Sequence, residues 1–216
     1  MNILILGATG RVGGQLVIYG LQDNHHVTVL VRTPEKIAIN NANLTIIQGN
    51  VLNKDDIVRA MHGIDVVISA LNTDGTTTLS ASMPLIIEAM ENEGIQRIIT
   101  IGTAGILQSR TIPNSLRYQT SESKQRSTRA AKEHHEVFDL LKQSTLQWTI
   151  VCPTYLPDGK RVGIYRIEGD FLPEDGVEIS VPDTAEFAFS QIKSNDFLKA
   201  RVGIAYYAIP IEINRI

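Results

Sequence analysis

Residues 1–13 read MNILILGATGRVG, and this stretch decides the fold. Its apolar start predicts a buried strand, and three glycines follow the strand with the spacing G-x-x-G-x-x-G. An amphipathic segment comes directly afterwards and predicts a helix. A strand, a glycine-rich turn and a helix in this order are typical of a site that holds the phosphates of a dinucleotide.

The three glycines have separate physical roles in such a loop. Gly7 lets the chain turn sharply away from the strand, and Gly10 leaves room for a pyrophosphate beside the backbone. Gly13 lets the helix pack closely against the strand, while the helix N-terminus offers free N–H groups and the positive end of its dipole. We therefore predict nucleotide binding here. A purely structural glycine turn is the alternative.

Strand-like and helix-like segments alternate along the rest of the chain. The strands read as nearly continuous β-branched runs, which is typical of a parallel sheet covered on both faces. We predict an α/β protein with a doubly wound Rossmann fold and a mostly parallel central sheet. Strands are expected at 2–6, 27–31, 45–48, 66–69, 97–101, 149–152 and near 202–208, and helices at 11–22, 54–61, 80–92, 127–142 and near 184–192.

Composition is that of an ordinary globular protein, with 216 residues, 43% hydrophobic residues and a net charge of -3. We expect one domain over residues 1–216, acting on a small molecule as a monomer or homodimer. Basic residues do not cluster as in a nucleic-acid-binding protein, and no apolar run is long enough to cross a bilayer. A strand begins directly after Met1, so we expect no leader and a cytoplasmic location. The single cysteine, Cys152, excludes an intrachain disulfide, and we expect no metal site.

Two long polar stretches interrupt the alternation, at 108–124 and 157–178. Each follows a predicted strand, so each lies beyond the carboxyl end of the sheet, where open α/β sheets bind their ligands. We expect these loops to form the walls of the substrate side.

The end of the second strand indicates which dinucleotide binds. An acid there accepts hydrogen bonds from the ribose of NAD, whereas an arginine accommodates the 2′-phosphate of NADP. Residues 29–36 read VLVRTPEK, which places Arg32 at the strand end and no carboxylate beside it. We predict NADP, with Arg11 as a candidate second positive charge. A merely solvated Arg32 is the alternative.

These motifs resemble the atypical short-chain dehydrogenase/reductase proteins, in the NmrA-like and flavin reductase (biliverdin-IXβ reductase)-like branch. The resemblance covers essentially the whole chain. The matching segments are GATGRVG at 7–13, GNV at 49–51, ISAL at 68–71, KEH at 132–134, WTIVCP at 148–153 and PDTAEFAF at 182–189. Beside the glycines, Arg11 and Arg32, the resemblance implies cofactor contacts at Thr9, Val12, Asn50, Val51, Ala70, Leu71 and Pro153.

The chain departs from this family at two positions. Asn50 replaces the usual aspartate, so a carboxylate contact to the adenosine is not expected there. Cys152 stands where arginine is common, and we expect it to be a small buried residue and not a nucleophile.

The catalytic Tyr-x-x-x-Lys pair of the wider superfamily is missing. Tyr118 is followed four residues later by Glu122, and Thr128 and Lys132 have the spacing without the phenol. The remaining candidates are Thr103, as a hydrogen-bond partner of nicotinamide or substrate, and His134, as a proton donor near neutral pH. Tyr155 is a candidate for the substrate side. Surface or packing roles are the alternatives for His134 and Tyr155.

Two functions of different classes fit these features. One is an NADPH-dependent reductase of flavins or similar conjugated planar acceptors, since hydride transfer to such an acceptor requires little acid catalysis from the protein. The other is a non-catalytic NADP-binding sensor or regulator of the NmrA type. A roomy apolar cavity beside the nicotinamide would favour the reductase, whereas an exposed apolar patch without a cavity would favour the sensor.

Overall fold

One eight-stranded sheet, covered by helices on both faces, forms the framework of the protein in a computed structural model that describes residues 1–73, 75–123 and 127–207. The strands are β1 (Asn2–Leu6), β2 (His26–Val31), β3 (Leu44–Gln48), β4 (Val66–Ser69), β5 (Arg97–Ile101), β6 (Gln147–Pro153), β7 (Arg166–Gly169) and β8 (Ala200–Ala205). The helices are α1 (Arg11–Gln22), α2 (Lys54–Met61), α3 (Thr78–Asn92), α4 (Arg129–Gln143) and α5 (Val181–Ser190).

The strand order is β3-β2-β1-β4-β5-β6-β8-β7, and every neighbouring pair is parallel except β7 and β8. This confirms the predicted doubly wound Rossmann fold with a mostly parallel sheet. From β1 the chain winds outward to β2 and β3, then crosses back to β4 on the other side of β1. The carboxyl ends of β1 and β4 therefore flank the switch point at which such sheets bind ligands.

The core alternates along the strands with the two-residue period of a sheet covered on both faces. Leu4, Leu6 and Val67 pack on the side of α2, α3 and α4. Ile5 and Ile68 pack on the side of α1 and α5. The apolar runs in the sequence are continuous because both faces of the central strands are buried.

Strand β7 is the element that sequence reasoning missed. Its four residues lie inside the segment 157–178, which was predicted as a loop, and they pair antiparallel with β8 at the edge of the sheet. Because the strand is short and alternates between half-buried and exposed residues, it lacks the apolar run that marks the central strands. The last strand also ends at Ala205, and position 208 of the prediction lies outside the described residues.

Candidate functional site

The glycine loop joins β1 to α1, and two of its glycines are required by geometry. Gly7 has a φ of +81°, and a β-carbon there would strike the backbone carbonyl of Ala70. A β-carbon at Gly13 would strike the carbonyl of Gly7 in the same way. Because neither residue has a side chain, the start of α1 can pack directly against the ends of β1 and β4.

Gly10 differs from these two glycines, because its backbone angles are ordinary for a residue with a side chain, although a β-carbon there would be a close contact. It is the N-cap residue of α1, with φ −82° and ψ 169°, and a β-carbon there would come no nearer than 3.2 Å to the Gly7 oxygen. No side chain caps this helix, and its first turn holds no acidic residue. The first helical N–H that is bonded to the loop is that of Gly14, which donates to the Gly10 oxygen at 2.8 Å. An uncapped helix terminus of this kind is suited to an anion.

A crevice of about 330 Å³ opens in front of this terminus. It brings together candidates from the glycine loop, from the end of β4 and from α4, which are far apart in sequence. Its lining residues are Thr9, Gly10, Arg11, Val12, Ala70, Leu71, Asn72, Ile101, Gly102, His134 and Leu156. Gly7 and Gly13 shape the crevice through the backbone contacts described above.

The adenosine end predicted from the sequence lies at the carboxyl ends of β2 and β3. Gly49 donates its N–H to the Val31 oxygen at 3.0 Å, which places Asn50 beside the end of β2, the strand that Arg32 directly follows. Arg32 is exposed, and no described residue forms an ion pair or hydrogen bond with its guanidinium. Its charge is therefore available to an anionic group of a ligand. Val51, by contrast, is buried in the core.

Asn50 is partly committed to its own loop. Its side-chain oxygen accepts a hydrogen bond from the Leu52 N–H at 3.0 Å, and its backbone N–H donates to Asp56 Oδ2 at 2.9 Å. The hydrogen bond from Asn50, followed by that from Arg59, lowers the pKa of Asp56. The carboxylate near this loop is therefore that of Asp56 on α2, and not one at position 50, where the family usually has aspartate.

Arg11, the candidate second positive charge, has partners within the protein. Its Nη1 donates to the Leu156 oxygen at 3.0 Å and lies 3.0 Å from Asp158 Oδ1. Arg11 therefore lines the crevice while it forms an ion pair with Asp158, in the segment that follows β6.

His134 projects from α4 into the crevice, but its protonation state differs from the expectation. Burial lowers the pKa of His134 to about 4. The ring is therefore uncharged at neutral pH, and it is not the ready acid that the sequence suggested. A neutral imidazole there is suited to hydrogen bonding and to packing.

A second cavity of about 300 Å³ adjoins the crevice, because consecutive residues line the two. Gly102 lines the crevice and Thr103 the cavity, and the same holds for Leu156 and Tyr155. Tyr155 is 63% exposed, and Thr103 Oγ1 accepts the Gly105 N–H at 3.3 Å. The cavity brings Thr103 and Tyr155 together, while His134 stays in the crevice. Its lining is Thr103, Ala104, Gly105, Arg117, Glu122, Ser123, Thr154, Tyr155, Leu172, Gly176 and Val177.

An ion pair between Arg117 and Glu122 forms part of this cavity wall, and sequence reasoning missed it. Burial raises the pKa of Glu122, but hydrogen bonds from Ser109 and Thr111 and the charge of Arg117 together lower it to about 2. The Arg117 Nη1 to Glu122 Oε2 distance is 2.8 Å. Glu122 is therefore a fixed anion that holds the loop. Tyr118, which precedes Glu122 by four residues, has its hydroxyl 2.9 Å from His135 Nδ1.

The end of β6 is structural. Pro153 is buried and pairs in register with Ile204 of β8, and it lines neither the crevice nor the second cavity. Cys152 is fully buried, and burial raises its pKa to about 12. This confirms Cys152 as a small core residue, since a thiol with that pKa is not a nucleophile at neutral pH.

Two absences concern the described part of the chain. Within it, no group of three or more His, Cys, Asp or Glu residues could hold a metal ion. None of its helices combines the length and apolar character that crossing a membrane requires.

Comparison with known proteins adds the family. A model of the NAD(P)H-binding family matches residues 7–195, which is most of the chain and includes the glycine loop. The chain belongs to the NAD(P)H-binding family. Protein YwnB of Bacillus subtilis is 25% identical over 173 residues, which cover 77% of this chain and 78% of YwnB. The photosystem II assembly factor Ycf39 of Synechocystis is 29% identical over 106 residues, or 46% of this chain. The chain spans 32% of Ycf39 and 24% of a pinoresinol-lariciresinol reductase relative from Arabidopsis thaliana.

Solved structures agree with this assignment. A Streptococcus pneumoniae protein assigned as an NADH-flavin reductase is 25% identical with a TM-score of 0.79, covering 96% of this chain and 100% of that chain. A Bacteroides thetaiotaomicron protein assigned as an epimerase is 28% identical with a TM-score of 0.84, covering 96% and 98% of the two chains. A short-chain dehydrogenase/reductase of Veillonella parvula in complex with NADP, 22% identical, has the same fold, with a TM-score of 0.75 over 94% of each chain. The resemblance stated from the motifs is confirmed.

Proposed function

We propose that this protein is an NADPH-dependent oxidoreductase that reduces a flavin or a similar conjugated planar acceptor by hydride transfer. The observation that carries the proposal is the pair of adjoining spaces, a dinucleotide-type crevice and a second cavity, which meet at residues 102–103 and 155–156. Membership of an NAD(P)H-binding family supports the cofactor class. The likeness to a protein assigned as an NADH-flavin reductase supports the acceptor class.

The residues of the crevice fit a dinucleotide. The uncapped terminus of α1 and the absence of a side chain at Gly10 suit the pyrophosphate. Arg32, exposed and without a partner among the described residues, suits the 2′-phosphate of NADPH. We place the nicotinamide end between Leu71, Gly102 and His134, beside the second cavity.

The proposed chemistry depends on positioning. When bound, NADPH supplies the hydride. The chain's own part is to hold the acceptor against the crevice, with Tyr155 as a flat surface and Thr103 as a hydrogen-bond partner. His134 and Glu122 are unsuited to acid catalysis at neutral pH, because His134 is uncharged and Glu122 is held as an anion.

We also propose that residues 1–216 form a single NAD(P)-binding domain whose substrate side is walled by the loops near 108–124 and 157–178. The described parts of both loops support this, since residues 117, 122 and 123 and residues 172, 176 and 177 line the second cavity. Lys124, at the end of the first loop, lies outside the described residues.

A sensor without turnover is the second candidate. It is favoured by the relative named as an assembly factor and by the exposed apolar side chain of Val177, which lines the second cavity. The cavity itself favours the reductase, although its lining mixes polar and apolar residues and is not the wholly apolar space that would favour it most.

Oxidation of NADPH and of NADH, followed at 340 nm with riboflavin, FMN and menadione as acceptors, tests the proposal. We expect turnover with at least one acceptor and a higher kcat/KM for NADPH. Gly10→Val is the control variant, since it should fold and lose the reaction. Tight binding of NADPH without oxidation by any acceptor would replace the reductase by the sensor.

A further inference from the structure

The mouth of the crevice is spanned by a contact between the glycine loop and the chain that follows β6. Arg11 Nη1 is bonded to the Leu156 oxygen and lies 3.0 Å from Asp158 Oδ1. Leu156 itself lines the crevice, beside Gly10 and His134. The guanidinium of Arg11 therefore lies between the carboxylate of Asp158 and the helix terminus that suits a phosphate.

This ion pair is not needed to hold the segment in place. The side chains of Arg11 and Asp158 are 56% and 82% exposed, and exposed ion pairs contribute little to stability. The segment has a separate anchor on α5, where Asp183 accepts the N–H groups of Val162 and Gly163, both at 2.9 Å. Asp158 can therefore be changed with little effect on the fold.

We propose that Asp158 competes with the phosphates of the dinucleotide for Arg11, and so limits how tightly the cofactor binds. This inference rests on the proposed function. Arg11 is the first residue of α1, so its guanidinium stands beside the place where an anion meets the helix terminus. Carboxylates and phosphates bind the same guanidinium N–H groups. Cofactor binding must then break the pair or leave two anions close together, and either outcome reduces affinity.

The first test is the affinity of Asp158→Asn for NADPH, measured by titration calorimetry at low salt. We expect the variant to bind about three- to tenfold more tightly than the wild type, with a smaller gain at high salt because screening weakens exposed charges. Asp196→Asn is the matched control. It removes one exposed carboxylate near the start of β8, at the edge of the sheet opposite the crevice, and it should leave the affinity unchanged.

The second test asks whether Asp158 acts through Arg11. In an Arg11→Gln background, Asp158→Asn should lose most of its gain, with circular dichroism confirming that all variants fold. Unchanged or weaker binding by Asp158→Asn overturns the inference, and so does an equal gain in both backgrounds. If the wild type itself does not bind NADPH, the proposed function fails too. Normal wild-type binding with no effect of Asp158 refutes this inference alone.

Discussion

Arg32→Ala should separate the two nicotinamide dinucleotides, because it removes a charge that only NADPH can use. Arg32 stands at the end of β2, exposed, and no described residue pairs with it. It therefore loses no protein partner when it binds a ligand phosphate. Hydrogen bonds to charged groups contribute about 1.5–3 kcal/mol, and an exposed site lies towards the lower value. A loss of about 1.4 kcal/mol corresponds to a roughly tenfold weaker Kd.

The assay is titration calorimetry of NADPH and NADH against the wild type and the variant. We expect the wild type to prefer NADPH, and Arg32→Ala to weaken NADPH about tenfold or more while leaving NADH nearly unchanged. Lys36→Ala is the control, since it removes an exposed positive charge in the short turn that follows β2. Equal wild-type affinity for the two cofactors would refute the assignment. A variant that weakens both cofactors equally would show that Arg32 serves the fold or the general field and not the 2′-phosphate.

Four further predictions concern the rest of the molecule. Gly10→Val should abolish NADPH binding in calorimetry with a modest loss of stability, because its φ and ψ suit a β-carbon; wild-type affinity in a folded variant would contradict it. His134→Ala and Thr103→Ala should each lower kcat by about tenfold or less, short of the 10²–10⁴-fold effect of a general acid, without an inflection near pH 6.5 that depends on His134. Glu122→Gln should lower the thermal stability of the protein at pH 7. The difference in melting temperature from the wild type should shrink as the pH falls from 4.5 towards about 2, because a carboxyl group with a lowered pKa stabilises the fold fully above pH 4.5 and loses that contribution as it becomes protonated. Arg97→Leu should cost about 2–4 kcal/mol in urea unfolding, because its buried guanidinium is bonded to oxygens of residues 147, 149 and 191, which would lose their donors; a near-neutral effect would contradict this.

The sequence predicted those parts of the fold that depend on local pattern. The apolar runs located the central strands, because both faces of each strand are buried. The spacing of Gly7 and Gly13 predicted the sharp turn after β1 and the close packing of α1 against that strand, whereas the contact with the end of β4 was found only in the structure. Strand β7 was out of reach for the same reason, since an edge strand with one exposed face carries no such run.

The candidate site was predictable in its location but not in its electrostatics. Positions after strand ends identified Thr103, Tyr155 and the glycine loop, because topology alone brings those ends together. The partner of Arg11 could not be found this way, since Asp158 is far along the chain and belongs to a loop without a periodic pattern. The charge of His134 depends on its burial in the folded chain, and no local signal encodes it.

The two halves of the site differ in how their charges are used, and this difference limits the chemistry. At the end of β2, where the adenosine is predicted to bind, Arg32 keeps its charge exposed, so binding energy there can come from an anionic ligand group. At the second cavity, Arg117 forms an ion pair with Glu122 at 2.8 Å, and this pair holds the loop together. In the proposed function, a site built this way would gain affinity from the cofactor's phosphates and would offer the acceptor shape and proximity. Hydride transfer to a planar conjugated acceptor makes that demand, whereas reduction of a simple ketone would require a proton donor that neither His134 nor Glu122 supplies at neutral pH.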